Sequence, residues 1–166
     1  MIPPHRSFVK TTVISSAGLR VSRIGLGCVT FGREIDEAAA HILLDDAYAR
    51  GINFFDTASG YSQGASESIL GSWIASRRPA AGSITVATKL LPPYDPKRIT
   101  EAVDASLTRL GLAAIDLFYL HCWDATAESP AALAALDGLV RAGKIRALGA
   151  SNYNRQQLET ALELQQ

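Results

Sequence analysis

The chain is poor in several things, and each scarcity narrows the field. Of 166 residues only two are cysteine, Cys28 and Cys122, with neither a CxxC spacing nor a histidine-rich neighbourhood. That excludes a disulfide framework and a structural zinc site, and leaves two thiols expected in a reducing compartment, with no metal. Neither sign of charge is in excess, with 16 basic residues against 16 acidic. Basic residues do not cluster beyond Arg77 and Arg78, so neither nucleic acid nor an anionic membrane is an expected partner. No apolar run reaches the roughly 18 to 20 residues of a membrane span. The first residues, MIPPHRSFVKTT, lack the apolar stretch of a signal peptide or anchor. Low-complexity segments and linkers are lacking too. The expectation is a single domain over 1–166 in the cytoplasm.

What the chain does have is alternation, in a composition 48% hydrophobic and 19% charged. Residues 8–24 (FVKTTVI, then LRVSRI) alternate across Ser15, Ser16, Ala17 and Gly18, which predicts a hairpin. IGLGCVTFG, 24–32, reads as a short apolar strand breaking into glycines. Helical spacing over 35–50 places Ile35, Ala38, Ala39, Ile42, Leu43 and Ala47 on one face, with Gly51 as the stop. INFFDTA, 52–58, is a continuous apolar run ending in acid, as expected of a strand buried on both sides. A helix over 65–77 follows, with Ile69, Leu70, Trp73 and Ile74 as its stripe, and then a strand, SITVATK, 83–89. Asp95 and Pro96 read as N-cap and first-turn proline of a helix to about Leu110, ended by Gly111. IDLFYLH, 115–121, is the fourth strand. Ser129 and Pro130 repeat the cap signal for a helix through about Ala142, closed by Gly143. KIRALGAS, 144–151, is the fifth strand, and Asn154 with Gln157 forms a loose capping box for a last helix running to the end.

Strict alternation of five strands and helices means a parallel sheet with right-handed crossovers. Such a sheet is either open and doubly wound or part of a (β/α)8 barrel. The open form usually carries GxGxxG at its first turn, and GLGCVTFG does not fit. The polar residues stand instead at the carboxyl ends of several strands, where barrel sites are built. The expected fold is α/β, of the (β/α)8 TIM-barrel type, limited to an N-terminal β-hairpin and five βα units.

The stretch FFDTASGYSQGASE, 54–67, organises the rest. Asp56 and Tyr61 lie five residues apart, so one strand-to-helix turn can aim both at a single point. A carboxylate there can hold a lysine ammonium, and an ammonium beside a phenol favours the deprotonated phenol. Lys89 closes the next strand and His121 the one after it. Singly, each has a plainer reading: Asp56 as a turn cap, Tyr61 as a surface aromatic, Lys89 as a solvated lysine, His121 as a satisfied buried histidine. Ser151 and Asn152 read equally well as capping residues, and Arg141 and Lys144 as a solvated face. Four proton-handling side chains at successive strand ends make a constellation that the separate readings do not explain.

Taken together and in order, GLGCVTFG, FFDTASGYSQGASE, ATK (87–89), DLFYLHCWD (116–124) and LVRAGKIRALGASN (139–152) make the chain resemble an aldo-keto reductase from about residue 12 to 164. The glycine stretch and ATK are unspecific alone, whereas the Asp-to-Tyr motif with its Gly and Ser-Glu is specific. The resemblance implies a barrel that reduces aldehyde or ketone carbonyls to alcohols with NADPH. Position by position it implies Tyr61 as general acid. A phenol that titrates near 10 is a poor acid at neutrality, which is why Lys89 paired with Asp56 is implied beside it. His121 is implied to orient the carbonyl, Ser151 and Asn152 to grip the nicotinamide carboxamide, and Gly27, Cys28 and Val29 to meet the cofactor, the family more often having Thr where Cys28 stands. Asp56 counts with the cofactor-contacting residues as well. Phe31, Ser59 and Trp123 are the implied pocket walls.

The resemblance reaches the first five of eight units, and a whole barrel takes typically about 250 residues. In the family the later units carry a glutamine under the nicotinamide ring, the pyrophosphate loop and the basic cluster for the adenosine 2′-phosphate; the 2′-phosphate site is expected to be absent from this chain. Five strands do not close, so the edges of the first and fifth invite self-association through the open barrel. Two functions of different class are expected in order. The first is an NADPH-dependent oxidoreductase acting on a small-molecule carbonyl substrate. The alternative is a catalytically inactive remnant, or an interaction or regulatory module, with the same fold.

Overall fold

The computed structural model describes residues 9–14 and 17–164. It begins with an antiparallel hairpin, β1 (Thr11–Ile14) and β2 (Leu19–Ser22), in which Thr11 faces Ser22 and Ile14 faces Leu19. Ser15 and Ser16 of the expected hairpin turn lie outside the described residues. Five parallel strands follow: β3 (Leu26–Gly27), β4 (Phe54–Asp56), β5 (Thr85–Leu90), β6 (Ile115–Leu120) and β7 (Ile145–Ala150). Between and after them come α1 (Glu37–Ala49), α2 (Ala65–Arg77), α3 (Pro96–Leu110), α4 (Pro130–Arg141) and α5 (Arg155–Glu163). The sheet order is β3-β4-β5-β6-β7, the order of the sequence. A doubly wound sheet would reverse direction at a switch point; a sheet that never reverses is a segment of a barrel wall.

The helix starts are set by local chemistry. Asp36, Asp95, Ser129 and Asn154 each accept from a backbone N–H of the first turn. The box at Asn154 is complete, Gln157 Oε1 accepting from Asn154 N at 2.8 Å. The core fills the space between sheet and helices, with Phe55, Val86 and Phe118 of the strands against Leu44, Leu70, Trp73, Ile99, Val103 and Leu136. Trp73 meets Phe55 edge-on at 5.4 Å between ring centroids and donates from Nε1 to Asp45 at 2.8 Å, so its polar end is satisfied while its body is buried.

Three local expectations are corrected. The strand expected over 24–32 is only Leu26–Gly27, because Phe31 N turns back to Cys28 O at 3.1 Å and the ladder stops. The buried face of α1 is Ala40, Leu44 and Ala47; Ile42 is 71% exposed and Leu43 39%. The helix carries apolar residues on two sides, and periodicity alone does not say which one meets the sheet. The run expected to be buried on both sides, 52–58, has strand pairing over 54–56, where Phe55 is buried and Phe54 and Asp56 are partly open. Its second face looks into the barrel interior, which five strands leave uncovered. By contrast every residue of β5 is buried.

Candidate active site

Backbone pairing carries the chain past the end of β4. Thr57 N donates to Ala87 O at 2.9 Å and Ser59 N to Lys89 O at 3.0 Å, so the segment tracks β5 to the mouth of the sheet. A 3₁₀ turn over Tyr61–Gly64 then leads into α2. Tyr61 is set down directly over the end of β5, where Lys89 arrives. The Lys89 side chain is 7% exposed and ion-paired with Asp56. Its Nζ also donates to Thr57 O at 2.9 Å and to Tyr61 Oη at 3.4 Å. The same ammonium stands 5.0 Å from the Tyr61 ring centroid and 6.0 Å from that of Tyr119, a distance at which aromatic faces attract a cation.

His121 follows β6 directly, its N–H donating to Leu90 O at 2.9 Å. Its ring meets the Tyr61 ring edge-on at 5.7 Å. Burial, and then the Lys89 charge, hold the imidazole below the ordinary histidine range, with Asp56 opposing. Its Nδ1 is buried with no hydrogen-bond partner among the described residues. Asn152, left-handed at φ 56°, donates from Nδ2 to His121 O at 2.8 Å and to Ser151 Oγ at 3.1 Å. The residues after β7 are thereby tied to the residue after β6. On the other side the buried Tyr94 hydroxyl donates to Cys122 O at 2.6 Å and accepts from Cys122 N at 3.3 Å, anchoring the chain one residue beyond His121.

Asp56, Tyr61, Lys89 and His121 are thus gathered at one point, with Ser151 and Asn152 beside it. Gly27 lies in register with Asp56 on the neighbouring strand, and a Cβ there would meet nothing within 4 Å. Cys28 is fully buried, its N–H donating to Asp56 O at 2.8 Å. Burial, reinforced by the Asp56 charge, pushes its thiol up to about 12. Val29 is exposed. Of the three wall residues, Phe31 is wholly buried within the core, and the Ser59 hydroxyl is turned to Lys89 O at 2.9 Å. Trp123 is 38% exposed and donates to Glu128 at 3.1 Å. Among the described residues no group of three or more His, Cys, Asp or Glu could hold a metal, and no helix is long and apolar enough to cross a membrane.

Sequence reasoning passed over Thr57, Tyr94, Tyr119, Glu67 and Arg109. Glu67 stood inside the quoted motif, but an acid in the first turn of a helix is ordinary and did not set it apart. Arg109 gave no signal, since its partner is 42 residues away. A hollow of about 630 Å³ lies outside the sheet between β7, α4 and α5, lined by Leu136, Leu148 and Leu162 among others.

Residues 23–166 match the aldo/keto reductase family, and the chain belongs to it. It is 38% identical to norsolorinic acid reductase B of Aspergillus parasiticus, over 82% of this chain and 41% of that protein. It is 34% identical to the oxidoreductase YrpG of Bacillus subtilis, over 86% and 49%, and 34% identical to the protein tas of Escherichia coli, over 84% and 51%. Among solved structures it resembles the holo form of aldo-keto reductase AKR11C1 from Bacillus halodurans, with a TM-score of 0.82 and 30% identity, covering 93% of this chain and 54% of that one. The thermostable aldo-keto reductase Tm1743, solved with the inhibitor epalrestat, gives a TM-score of 0.83 at 25% identity, covering 93% and 58%. The chain therefore spans about half the length of the curated relatives it matches.

Proposed function

We propose that this cluster reduces an aldehyde or ketone to an alcohol, with Tyr61 giving its proton to the carbonyl oxygen. The observation that carries the reading is the Tyr61 hydroxyl 3.4 Å from a buried, carboxylate-held ammonium. A phenol that gives up its proton becomes an anion, and the Lys89 charge beside it stabilises that anion where water is scarce. Asp56 keeps the ammonium in place and balances its charge. His121, its imidazole biased toward the neutral form by burial, offers a ring nitrogen to orient the carbonyl over Tyr61. Trp123, exposed beyond β6, serves as a wall for the substrate's apolar part.

The residues present fit a nicotinamide cofactor. His121 has an orphaned Nδ1 beside Ser151 and Asn152, whose amide binds the His121 carbonyl, and Gly27 leaves open space beside Asp56. Gly27, Cys28 and Val29 would meet it along the backbone, and Ser151 and Asn152 would hold its carboxamide. When bound, the group supplies hydride to the carbonyl carbon. NADPH is the form that the resemblance implies. The second reading is a non-catalytic module of the same fold. In either case we propose that copies associate through the open sides of the sheet.

Fluorescence titration of the purified chain with NADPH separates the two functions. Binding at about micromolar strength is expected of the reductase, and no binding up to about millimolar supports the module. With a carbonyl acceptor, Tyr61→Phe is expected to lower turnover by about 10²–10⁴-fold while leaving NADPH binding in place. A Tyr61→Phe chain as active as the parent would refute the assignment.

A further inference from the structure

We propose that Arg109 and Glu67 are positioning residues that seat the Tyr61 turn against β5 from the side of the sheet away from the reacting groups. Glu67 is wholly buried, and both its carboxylate oxygens are engaged. Oε1 accepts from Thr88 Oγ1 at 2.5 Å, and Oε2 accepts from Arg109 Nε at 2.6 Å. A buried ion pair is weak support for stability, since apolar residues of the same volume often serve as well. What this pair fixes is a geometry. Thr88 precedes Lys89 in β5, and successive strand residues point to opposite faces. Glu67 therefore grips the strand from the helix side at the level where Lys89 acts on the other.

Arg109 completes the link. A Cβ built at Gly64 would stand 2.8 Å from Arg109 Nε and 2.9 Å from Cδ, so the guanidinium stem lies flat on that glycine. Gly64 ends the turn that Tyr61 begins, and Ser62 and Gln63 between them take φ of 49° and 54°. Two successive side-chain-bearing residues in the left-handed region persist only where the surroundings over-determine them. Ser62 Oγ, donating to Phe31 O at 3.1 Å, restrains the turn on one side, and Arg109 backs it on the other. The route runs from Lys89's neighbour Thr88 through Glu67 and Arg109 to Gly64, and so to Tyr61. The 3.4 Å approach of Tyr61 to Lys89 is thus set through α2 and α3 as well as through Asp56.

The inference rests on the reductase reading only in naming Tyr61 the proton donor, and its first readout needs neither cofactor nor turnover. Proton NMR of the 166-residue chain should show cross-peaks between the Tyr61 and His121 rings, identified by their loss in Tyr61→Ala. In Arg109→Met, which keeps the stem and removes the guanidinium, those cross-peaks are expected to vanish while a cooperative melting transition persists. Unchanged cross-peaks in the folded variant would overturn the proposal. Should Arg109→Met fail to fold, Thr88→Val removes one hydrogen bond to Glu67 and decides the question by the same peaks, weakened if the proposal holds and unchanged if it does not. In a chain that turns over, Arg109→Met is further expected to lower kcat by about 10²-fold with KM nearly unchanged. A parent without turnover would count against the reductase reading alone and leave the ring contact to judge the positioning.

Discussion

An ammonium has three N–H donors, and Lys89 directs them at the Asp56 carboxylate, the Thr57 carbonyl and the Tyr61 hydroxyl. Every hydrogen-bond partner of this ammonium lies between residues 56 and 61, so the placement of one turn decides whether the lysine is satisfied. His121 gives a pH signature for the site. Because burial and Lys89 depress its titration, the folded chain takes up this proton later than the unfolded one. Above the ordinary value of about 6.5 the group is neutral in both states and adds no slope. As pH falls below it the unfolded chain protonates first, and stability declines until the folded titration is passed. Urea unfolding at a series of pH values from about 7.5 downward is expected to show this decline, and His121→Gln to remove part of it. An identical slope in the variant would contradict the burial argument. The two thiols should also differ. Cys28 is buried with its titration pushed up to about 12, whereas Cys122 is partly exposed. An aromatic disulfide reagent is expected to label one thiol in the native chain and two after unfolding; two native labels would mean that Cys28 is not enclosed as described.

At the scale of elements, α2 and α3 approach so closely at Gly71 that a Cβ there would lie 2.3 Å from Arg109 O. The obstacle is backbone, so it cannot rotate aside. Gly71→Ala is expected to cost about 1–3 kcal/mol by thermal unfolding, as overpacking does. In α4 a Cβ at Gly138 meets nothing within 4 Å, and Gly138→Ala is expected to stabilise by about 0.5–1 kcal/mol. Opposite signs for two glycine-to-alanine changes in helices test the packing more sharply than either alone. The elements themselves were legible because their signals are local. Asp95, Ser129 and Asn154 each sit within three residues of the N–H they cap, and each parallel strand falls inside or within one residue of its apolar run. The inward side of α1 was legible only at Ala47, because Ala40 and Leu44 compete with Ile42 and Leu43 for the same period. Nor was the Tyr61 turn, since Ser62 and Gln63 have no preference for left-handed backbone and take it only under tertiary constraint.

For the molecule as a whole, the sheet has two unpaired sides among the described residues, β3 and β7. Exposed apolar residues stand just before β3 (Ile24, 60%), on α1 (Ile42, 71%) and on α5 (Leu162, 55%), and α5 has no buried residue. Unpaired edges beside apolar surface favour association. Sedimentation equilibrium is expected to give more than the mass of one chain, and a single-chain mass at every concentration would refute it. The candidate site was legible at this scale as strand-end polar residues. Its outer support was not, because Glu67 and Arg109 meet only after α2, β5 and α3 have folded together. All the polar groups of the cluster stand at the carboxyl ends of the strands, while the connections from helix back to strand run along the opposite rim. One of them, between α2 and β5, carries Ala81, exposed and outside the left-handed region that neighbouring Gly82 occupies. A dye, a surface linker or a short inserted epitope at that position would be carried on the rear of the molecule, and the chain could be tethered there with its mouth left facing solution.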